Sequence, residues 1–365
     1  MKNKAGLFGI YLPIFALTIL ATVTIRTVAL FLHFDVDTGY FAYKTLISIS
    51  DYALIAAAVF FISYIFTARR DLVFIPDFTS PMTYIPTGIV TAALIFMPFA
   101  LTQRANKIFD FIEELKERGT QSALAQLPSQ KFLVIVVIVT AVLSVASLVH
   151  FALTALVEAH SSSKRANFGL CTVVFLALYA MYLYFSTDLP INSPNKALDQ
   201  MAYLFSAVFF LYETRLSCGR EKWRQYISFG FVAAAVSAYS AIPSLIYYVV
   251  RGEITQNSIY ELILTLALFI FITSRILLTS KLIENRDSNT VLAIAKAFDA
   301  RNEELNPTPK STDVIDITGE PIDSEESEEQ EADENQITLD ELPVLTDEEN
   351  QYEESEKGKS EEEEI

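Results

Sequence analysis

The chain has 365 residues, of which 52% are apolar and 12% are aromatic, and it carries a formal net charge of -17. The charge lies at one end, because residues 303–365 hold 25 acidic side chains against three lysines, whereas residues 1–302 carry a net charge of +5. An acidic chain without a basic stripe is a poor candidate for nucleic-acid binding. Two cysteines without a metal-ligand spacing exclude a disulfide framework, and neither a cofactor nor a metal site is predicted.

The apolar segments predict a series of membrane-spanning helices. A bilayer core about 30 Å thick requires roughly 20 apolar residues of helix. Residues 132–157 are the clearest case, since 26 consecutive positions contain no Asp, Glu, Lys or Arg. A helix that is apolar on all sides prefers lipid to water. The eight predicted spans lie near residues 7–32, 46–67, 84–103, 132–157, 167–187, 198–214, 226–250 and 258–281.

No soluble domain interrupts these spans, so the sequence predicts an all-α fold in which residues 1–283 form a polytopic transmembrane helix bundle. Two shorter segments have apolar residues at helical spacing opposite charged or polar ones. This pattern is typical of amphipathic helices at a membrane surface. We therefore expect an interfacial helix at residues 104–118 and a juxtamembrane helix at residues 284–305.

The last segment, residues 306–365, is predicted to be a disordered acidic tail. Clustered Glu, Ser and Asp with few aromatic residues cannot bury enough apolar surface to offset the entropy cost of ordering. Two apolar islands, residues 314–322 and 337–345, interrupt the tail. Such islands can be motifs that fold on a cytoplasmic protein partner, or they can lack any binding role, and the sequence leaves both readings open.

The distribution of Lys and Arg beside the spans predicts the orientation in the membrane. With the N-terminus in the cytoplasm, twelve Lys and Arg residues flank the spans on the cytoplasmic side and eight on the outer side. Five of those eight come from residues 104–131, the one loop that conflicts with the rule. We therefore expect both termini to be cytoplasmic.

Five ionisable residues of the predicted spans are candidates for a functional site, because a charge inside a membrane is costly unless it is paired or hydrated. The alternating direction of the spans places Arg26 and Asp51 near the outer face. It places His150, Glu213 and Arg275 near the cytoplasmic face. Each cluster is either an ion relay or substrate cradle, or a structural arrangement in which the arginines reach the headgroups and Glu213 pairs with a neighbouring arginine.

The seventh predicted span has small residues at four-residue spacing, followed by Pro243. Small residues let helices approach closely, and a proline kinks a helix and frees backbone carbonyls. The polar residues of this span are therefore candidates for lining a cavity, although close packing also explains the small residues. The candidates are Ser237, Tyr239, Ser240 and Ser244.

One short motif is typical of a family of enzymes, but the chain lacks the other motifs of that family. Residues 113–118 match the EExxxR pattern of CAAX-protease-like intramembrane peptidases, a family that also needs FxxxH and HxxxN/D motifs. Here alanine and leucine precede His150 and His160 by four positions, and Thr154 and Lys164 follow them. Other catalytic signatures are absent from the sequence as well. We therefore expect the protein not to be an enzyme.

Residues 185–226 contain the stretches FSTDLPINSPNKALDQ and ETRLSCGREKWRQY. They resemble uncharacterised multi-span integral membrane proteins of clostridia-type Gram-positive bacteria, which implies a bacterial plasma membrane and no particular activity. Together these features favour a non-enzymatic membrane sensor or scaffold that recruits cytoplasmic partners through its acidic tail. The alternative is a secondary transporter or permease that uses the intramembrane ionisable residues.

Overall fold

The computed structural model describes residues 8–36, 38–68, 72–74, 81–156, 163–186, 190, 193–217, 222–255 and 258–285. The acidic tail, residues 306–365, lies outside these ranges, so its disorder and its two apolar islands stay predictions. His160 also lies outside these ranges.

The described residues fold into eight helices. They are α1 Phe8–His33, α2 Thr45–Thr67, α3 Pro81–Arg118, α4 Gln121–Leu156, α5 Ser163–Phe185, α6 Pro194–Ser217, α7 Trp223–Arg251 and α8 Ile259–Leu282. Among them, all except α6 are long and apolar enough to cross a membrane. The predicted membrane helix bundle is thereby confirmed, and the chain is an integral membrane protein.

The helix α6 has a lower apolar content than its neighbours because charged residues lie near both of its ends. Its 24 residues correspond to about 36 Å of helix, which is still enough to cross a bilayer core. It packs between α5 and α7, and its charged residues Lys196, Asp199 and Glu213 are buried. These charges face protein instead of lipid, so composition underestimates how well the helix fits inside the bundle.

Contacts between side chains show that consecutive helices alternate in direction. Arg26, near the end of α1, lies beside Asp51, near the start of α2. Arg275 and Glu213, near the ends of α8 and α6, lie beside each other at the opposite side. We call these two sides the Arg26 face and the Arg275 face.

The helix α7 occupies the centre of the bundle and contacts α1, α2, α6 and α8. Nearly all of its residues from Trp223 to Ser244 are buried. Its Gly230 marks a close approach, because a Cβ atom there would lie 3.3 Å from the ring of Phe209 on α6 and from Ile276 on α8. Small residues therefore let two helices pack tightly against the central one.

The helices α3 and α4 are longer than a bilayer core is thick, since 38 and 36 residues correspond to about 57 and 54 Å. Only two residues separate them, and the first, Gly119, has a φ of 59° that favours glycine. Residues 104–131 therefore form a helical hairpin that extends outward on the Arg26 face. We call this segment the α3–α4 hairpin.

The interfacial helix predicted at residues 104–118 is the last part of α3, and its location at the membrane interface stays a prediction. These residues are helical, but they continue α3 without a break. Their apolar residues Ile112 and Leu115 are buried, and α4 is the helix that packs along α3. Ile108 and Phe111, on the same apolar face, are half-buried, so protein covers this face only in part.

Two short antiparallel ladders accompany the helices in the described part of the chain. They pair β1 Phe34–Asp35 with β2 Tyr40–Phe41, and β3 Leu72–Phe74 with β4 Ile283–Asn285. The second ladder corrects the start of the juxtamembrane helix predicted at residues 284–305. Backbone pairing with β3 holds the chain extended directly after α8, and residues 286–305 lie outside the described ranges.

Candidate functional site

Arg26 and Asp51 meet at the Arg26 face, where the arginine is enclosed by protein. Its Nη1 atom lies 3.9 Å from Oδ1 of Asp51, and its Nη2 atom donates a hydrogen bond of 2.5 Å to Oδ1 of Asn195. The guanidinium carbon also lies 4.5 Å from the ring centroid of Tyr239. Arg26 is only 2% exposed, so residues of α2, α6 and α7 stabilise its charge and it does not extend to the headgroups.

The four candidate cavity-lining residues of α7 are all buried. The Tyr239 hydroxyl donates to Oδ1 of Asp51 at 2.6 Å and shares a hydrogen bond of 2.5 Å with Ser50. The Ser240 hydroxyl donates to Oδ1 of Asp199. These bonds connect α7 to α2 and α6. None of Ser237, Tyr239, Ser240 and Ser244 lines the cavity described below.

Arg275 and Glu213 form a buried ion pair at the Arg275 face. The distance between Nε of Arg275 and Oε1 of Glu213 is 3.2 Å. Nη1 of Arg275 donates a hydrogen bond of 3.4 Å to Thr83, at the start of α3, and its guanidinium carbon lies 5.0 Å from the ring centroid of Phe271. The pair therefore joins α8 to α6 and α3.

His150 is buried at the junction of α4, α5 and α6. A Cβ atom on Gly169 of α5 would lie 3.3 Å from Cε1 of His150 and 2.5 Å from Oγ1 of Thr214. Thr214 is the residue that follows Glu213. The third member of the predicted cytoplasmic cluster thus lies on the same face as Glu213 and Arg275, in a close-packed place.

This packing gives a testable expectation for Gly169→Ala. The added methyl group would overlap the Thr214 hydroxyl, so we expect a loss of about 1–3 kcal/mol in the free energy of unfolding. Gly88→Ala on α3 is the matched control, since no atom lies within 4 Å of its added Cβ. Alanine favours helix over glycine by up to about 1 kcal/mol, so the control should be neutral or stabilised. Equal effects in denaturant unfolding of the two variants would contradict the close contact.

A second buried ion pair, which the sequence did not predict, joins Arg104 of α3 to Glu261 of α8. Nη2 of Arg104 lies 2.6 Å from Oε1 of Glu261, which is 0% exposed. The Tyr179 hydroxyl donates to the same carboxylate oxygen at 2.8 Å, and the ring centroid of Tyr182 lies 5.3 Å from the Arg104 guanidinium carbon. The sequence places Arg104 in the loop that follows the predicted third span, which ends at residue 103. The unbroken helical pattern through residues 104–118 was the signal that could have placed it.

The start of α6 contributes further polar residues to the Arg26 face that the sequence did not single out. The Lys196 ammonium group donates to the carbonyl oxygen of Ser186 at 2.6 Å. Nδ2 of Asn195 donates to the carbonyl oxygen of Thr255 at 3.0 Å. Lys196 and Asp199 are one helical turn apart and both are buried, so one side of α6 is polar where it meets its neighbours.

A cavity of about 360 Å³ opens on the Arg26 face beside Arg104. It lies between the α3–α4 hairpin, the end of α5 and the start of α8. Its lining includes both charged and neutral hydrogen-bonding side chains. The principal ones are Gln103, Arg104, Lys107, Gln130, Ser186 and Ser258.

The lining residues of the cavity include two cations, Arg104 and Lys107, and no Asp, Glu, His or Cys. Within the described ranges, no group of three His, Cys, Asp or Glu side chains could hold a metal ion. Its volume lies in the range of small-molecule sites.

Comparison of the chain with protein-family models, with curated proteins and with solved structures gives no significant match. The function is therefore inferred from the geometry of the Arg26 face.

Proposed function

We propose that this integral membrane protein is a non-enzymatic sensor that binds a ligand in the cavity beside Arg104 and signals occupancy through its acidic tail. One observation carries the proposal. Arg104 on the cavity wall is paired at 2.6 Å with Glu261 in the first turn of α8, and α8 is the helix that leads into the tail. A ligand that contacts Arg104 therefore acts on the helix that connects the cavity to the tail.

The helix α8 is fixed to other helices at both ends, which supports this route. Glu261 pairs with α3 at the Arg26 face, and Arg275 pairs with Glu213 of α6 at the Arg275 face. The strand β4 then connects the end of α8 to β3. Because packed helices move as rigid bodies, a shift of α8 at the cavity is transmitted to the segment that precedes the tail.

The transport hypothesis receives less support from this geometry. A transporter needs a site that becomes accessible from both sides of the membrane. The cavity lies at the Arg26 face, and none of the five candidate ionisable residues of the predicted spans lines it. They are Arg26, Asp51, His150, Glu213 and Arg275. No observation favours transport over ligand sensing.

In the proposed orientation the Arg275 face, both termini and the tail are cytoplasmic. Two of the eight outer cations, Arg104 and Lys196, are paired or buried inside the bundle and do not count as loop charges. The sequence count of twelve cytoplasmic against eight outer cations supports this orientation. The proposed membrane is a bacterial plasma membrane, as the resemblance of residues 185–226 implies.

Filling the cavity tests the sensor proposal. We expect Gln103→Trp to change the yield of cross-links from a photoreactive residue at position 341, in the tail island 337–345, by about fivefold. The large side chain occupies the cavity and displaces its wall. The yield is measured in intact cells, relative to the amount of protein in the membrane.

The matched control is Thr102→Trp, which places the same side chain at the neighbouring exposed position outside the cavity. Its cross-link yield should equal that of the unmodified protein. The sensor proposal is wrong if Gln103→Trp and Thr102→Trp behave alike, or if the unmodified tail gives no cross-linked product.

A further inference from the structure

We infer that the ligand of this cavity carries an anionic phosphate group, as the head of an amphiphile does. The inference rests on the proposed ligand-binding role of the cavity and names the chemistry that the cavity recognises. Three properties of the lining carry it: its charge, a buried hydroxyl group and an apolar wall at the level of the membrane boundary.

The charge of the lining favours an anion. Arg104 and Lys107 are one helical turn apart on α3 and both line the cavity, whereas no lining residue is an Asp or Glu. Glu261, which does not line the cavity, neutralises the charge of Arg104. Lys107 is exposed, and within the part of the chain that the structure describes it forms no ion pair, so the cavity keeps a net charge of about +1. A cationic wall with several hydrogen-bond donors suits a group with several anionic oxygens.

Ser186 provides the second, independent observation. It is buried at the end of α5 and lines the cavity, and its Oγ atom has no hydrogen-bond partner among the described residues. Its backbone carbonyl accepts a hydrogen bond from Lys196, which fixes this end of the helix. Buried hydroxyl groups normally have a partner. An acceptor oxygen of a ligand in the cavity would supply one, and Ser258 and Gln130 add further donors.

The apolar part of the lining points to an amphiphile. Ala100, Ile108, Phe111 and Leu133 form it. Arg104 is the 24th residue of α3, about 35 Å from the start of the helix, and a bilayer core is about 30 Å thick. The cavity therefore lies at the level of the lipid headgroups. A phosphate against the cations would leave the apolar part of the molecule against these four side chains.

Direct binding to the full chain in micelles of an uncharged maltoside detergent tests the inference. The probes are dihexanoylphosphatidylglycerol, dihexanoylphosphatidylcholine and inorganic phosphate, followed by titration calorimetry. We expect saturable binding of the anionic lipid and at least about tenfold weaker binding of the zwitterionic one. Lys107→Gln should weaken binding of the anionic lipid about tenfold, because a charge-assisted hydrogen bond is lost, and Ser186→Ala about threefold.

Lys116→Gln is the matched control, since it removes the same charge from an exposed position of the same helix outside the cavity. It should leave the affinity within about twofold. Inorganic phosphate that binds as tightly as the anionic lipid supports the phosphate site and assigns a free phosphate compound as its ligand. Equal affinities for the two lipids, equal losses in Lys107→Gln and Lys116→Gln, or no saturable binding would overturn the inference.

The two proposals fail separately. Specific binding of the anionic lipid together with unchanged tail cross-links in Gln103→Trp overturns the sensor function and keeps the phosphate site. A change in tail cross-links together with no binding of any probe keeps the sensor function and overturns the phosphate site.

Discussion

Glu261→Gln is expected to lower the free energy of unfolding by about 3 kcal/mol, because it leaves the partly buried Arg104 without its counter-charge. The carboxylate is fully buried, 2.6 Å from Arg104, and it also accepts a hydrogen bond from Tyr179. A glutamine keeps the shape of the side chain and removes only the charge. The loss is measured by denaturant unfolding of the purified protein in detergent, followed by circular dichroism.

The chain offers a matched control on the α3–α4 hairpin. Glu114 and Arg118 form an ion pair of 2.5 Å whose side chains are 52% and 60% exposed. Glu114→Gln should therefore change the stability by no more than about 0.5 kcal/mol. Replacing Arg104 and Glu261 together by glutamine should recover part of the loss, since no buried charge is left unpaired. Equal costs for the two single variants would show that burial does not strengthen the Arg104–Glu261 pair.

Glu213→Gln is expected to be the second large effect, again about 3 kcal/mol in the free energy of unfolding. Both partners of the Glu213–Arg275 pair are buried, and their nearest atoms are 3.2 Å apart. Asp51→Asn should cost less than about 1 kcal/mol, because the Asp51 side chain is 45% exposed and lies 3.9 Å from Arg26. An asparagine can still accept the hydrogen bond that Tyr239 donates to this position.

The contrast between these two variants separates a structural role from a functional one. If Glu213 fixes the arrangement of α6, α8 and α3, the variant is unstable and its amount in the membrane falls. If instead Glu213→Gln is as stable as the unmodified protein, the pair does not hold the helices together, and the ion relay or substrate cradle becomes the better reading of this cluster. An equally large loss for Asp51→Asn would show that exposure does not separate the two pairs.

The membrane helices could be predicted because they depend on local properties of the chain. Length and apolar content set which segments prefer lipid, and the predicted spans 46–67, 226–250 and 258–281 end within about three residues of α2, α7 and α8. The alternating direction of the spans then placed Arg26 beside Asp51, and Glu213 at the depth of Arg275, without further information.

The helix at residues 104–118 shows where such reasoning ends. An amphipathic pattern states that one face of a helix is buried, and it does not state whether lipid or another helix covers that face. The pattern therefore predicts the helix, and the packing of α3 against α4 decides that Ile112 and Leu115 are buried. The length of the α3–α4 hairpin also depends on α4, because this helix begins at Gln121, before the predicted span 132–157.

Which residues meet around the cavity could not be predicted from the sequence, because it depends entirely on the tertiary structure. Arg104 and Glu261 are 157 positions apart in the chain, and each had a plausible place beside water at the end of a helix. Lys196 and Asp199 lie at the start of α6, where the sequence predicts a span only from residue 198, whereas packing between α5 and α7 buries both. Hydrophobicity by itself determined that the chain lies in a membrane. Which charges are paired, which remain available to a ligand and where a cavity opens were decided by the packing of helices, because the energy of a charge depends on the atoms around it and not on its neighbours in sequence.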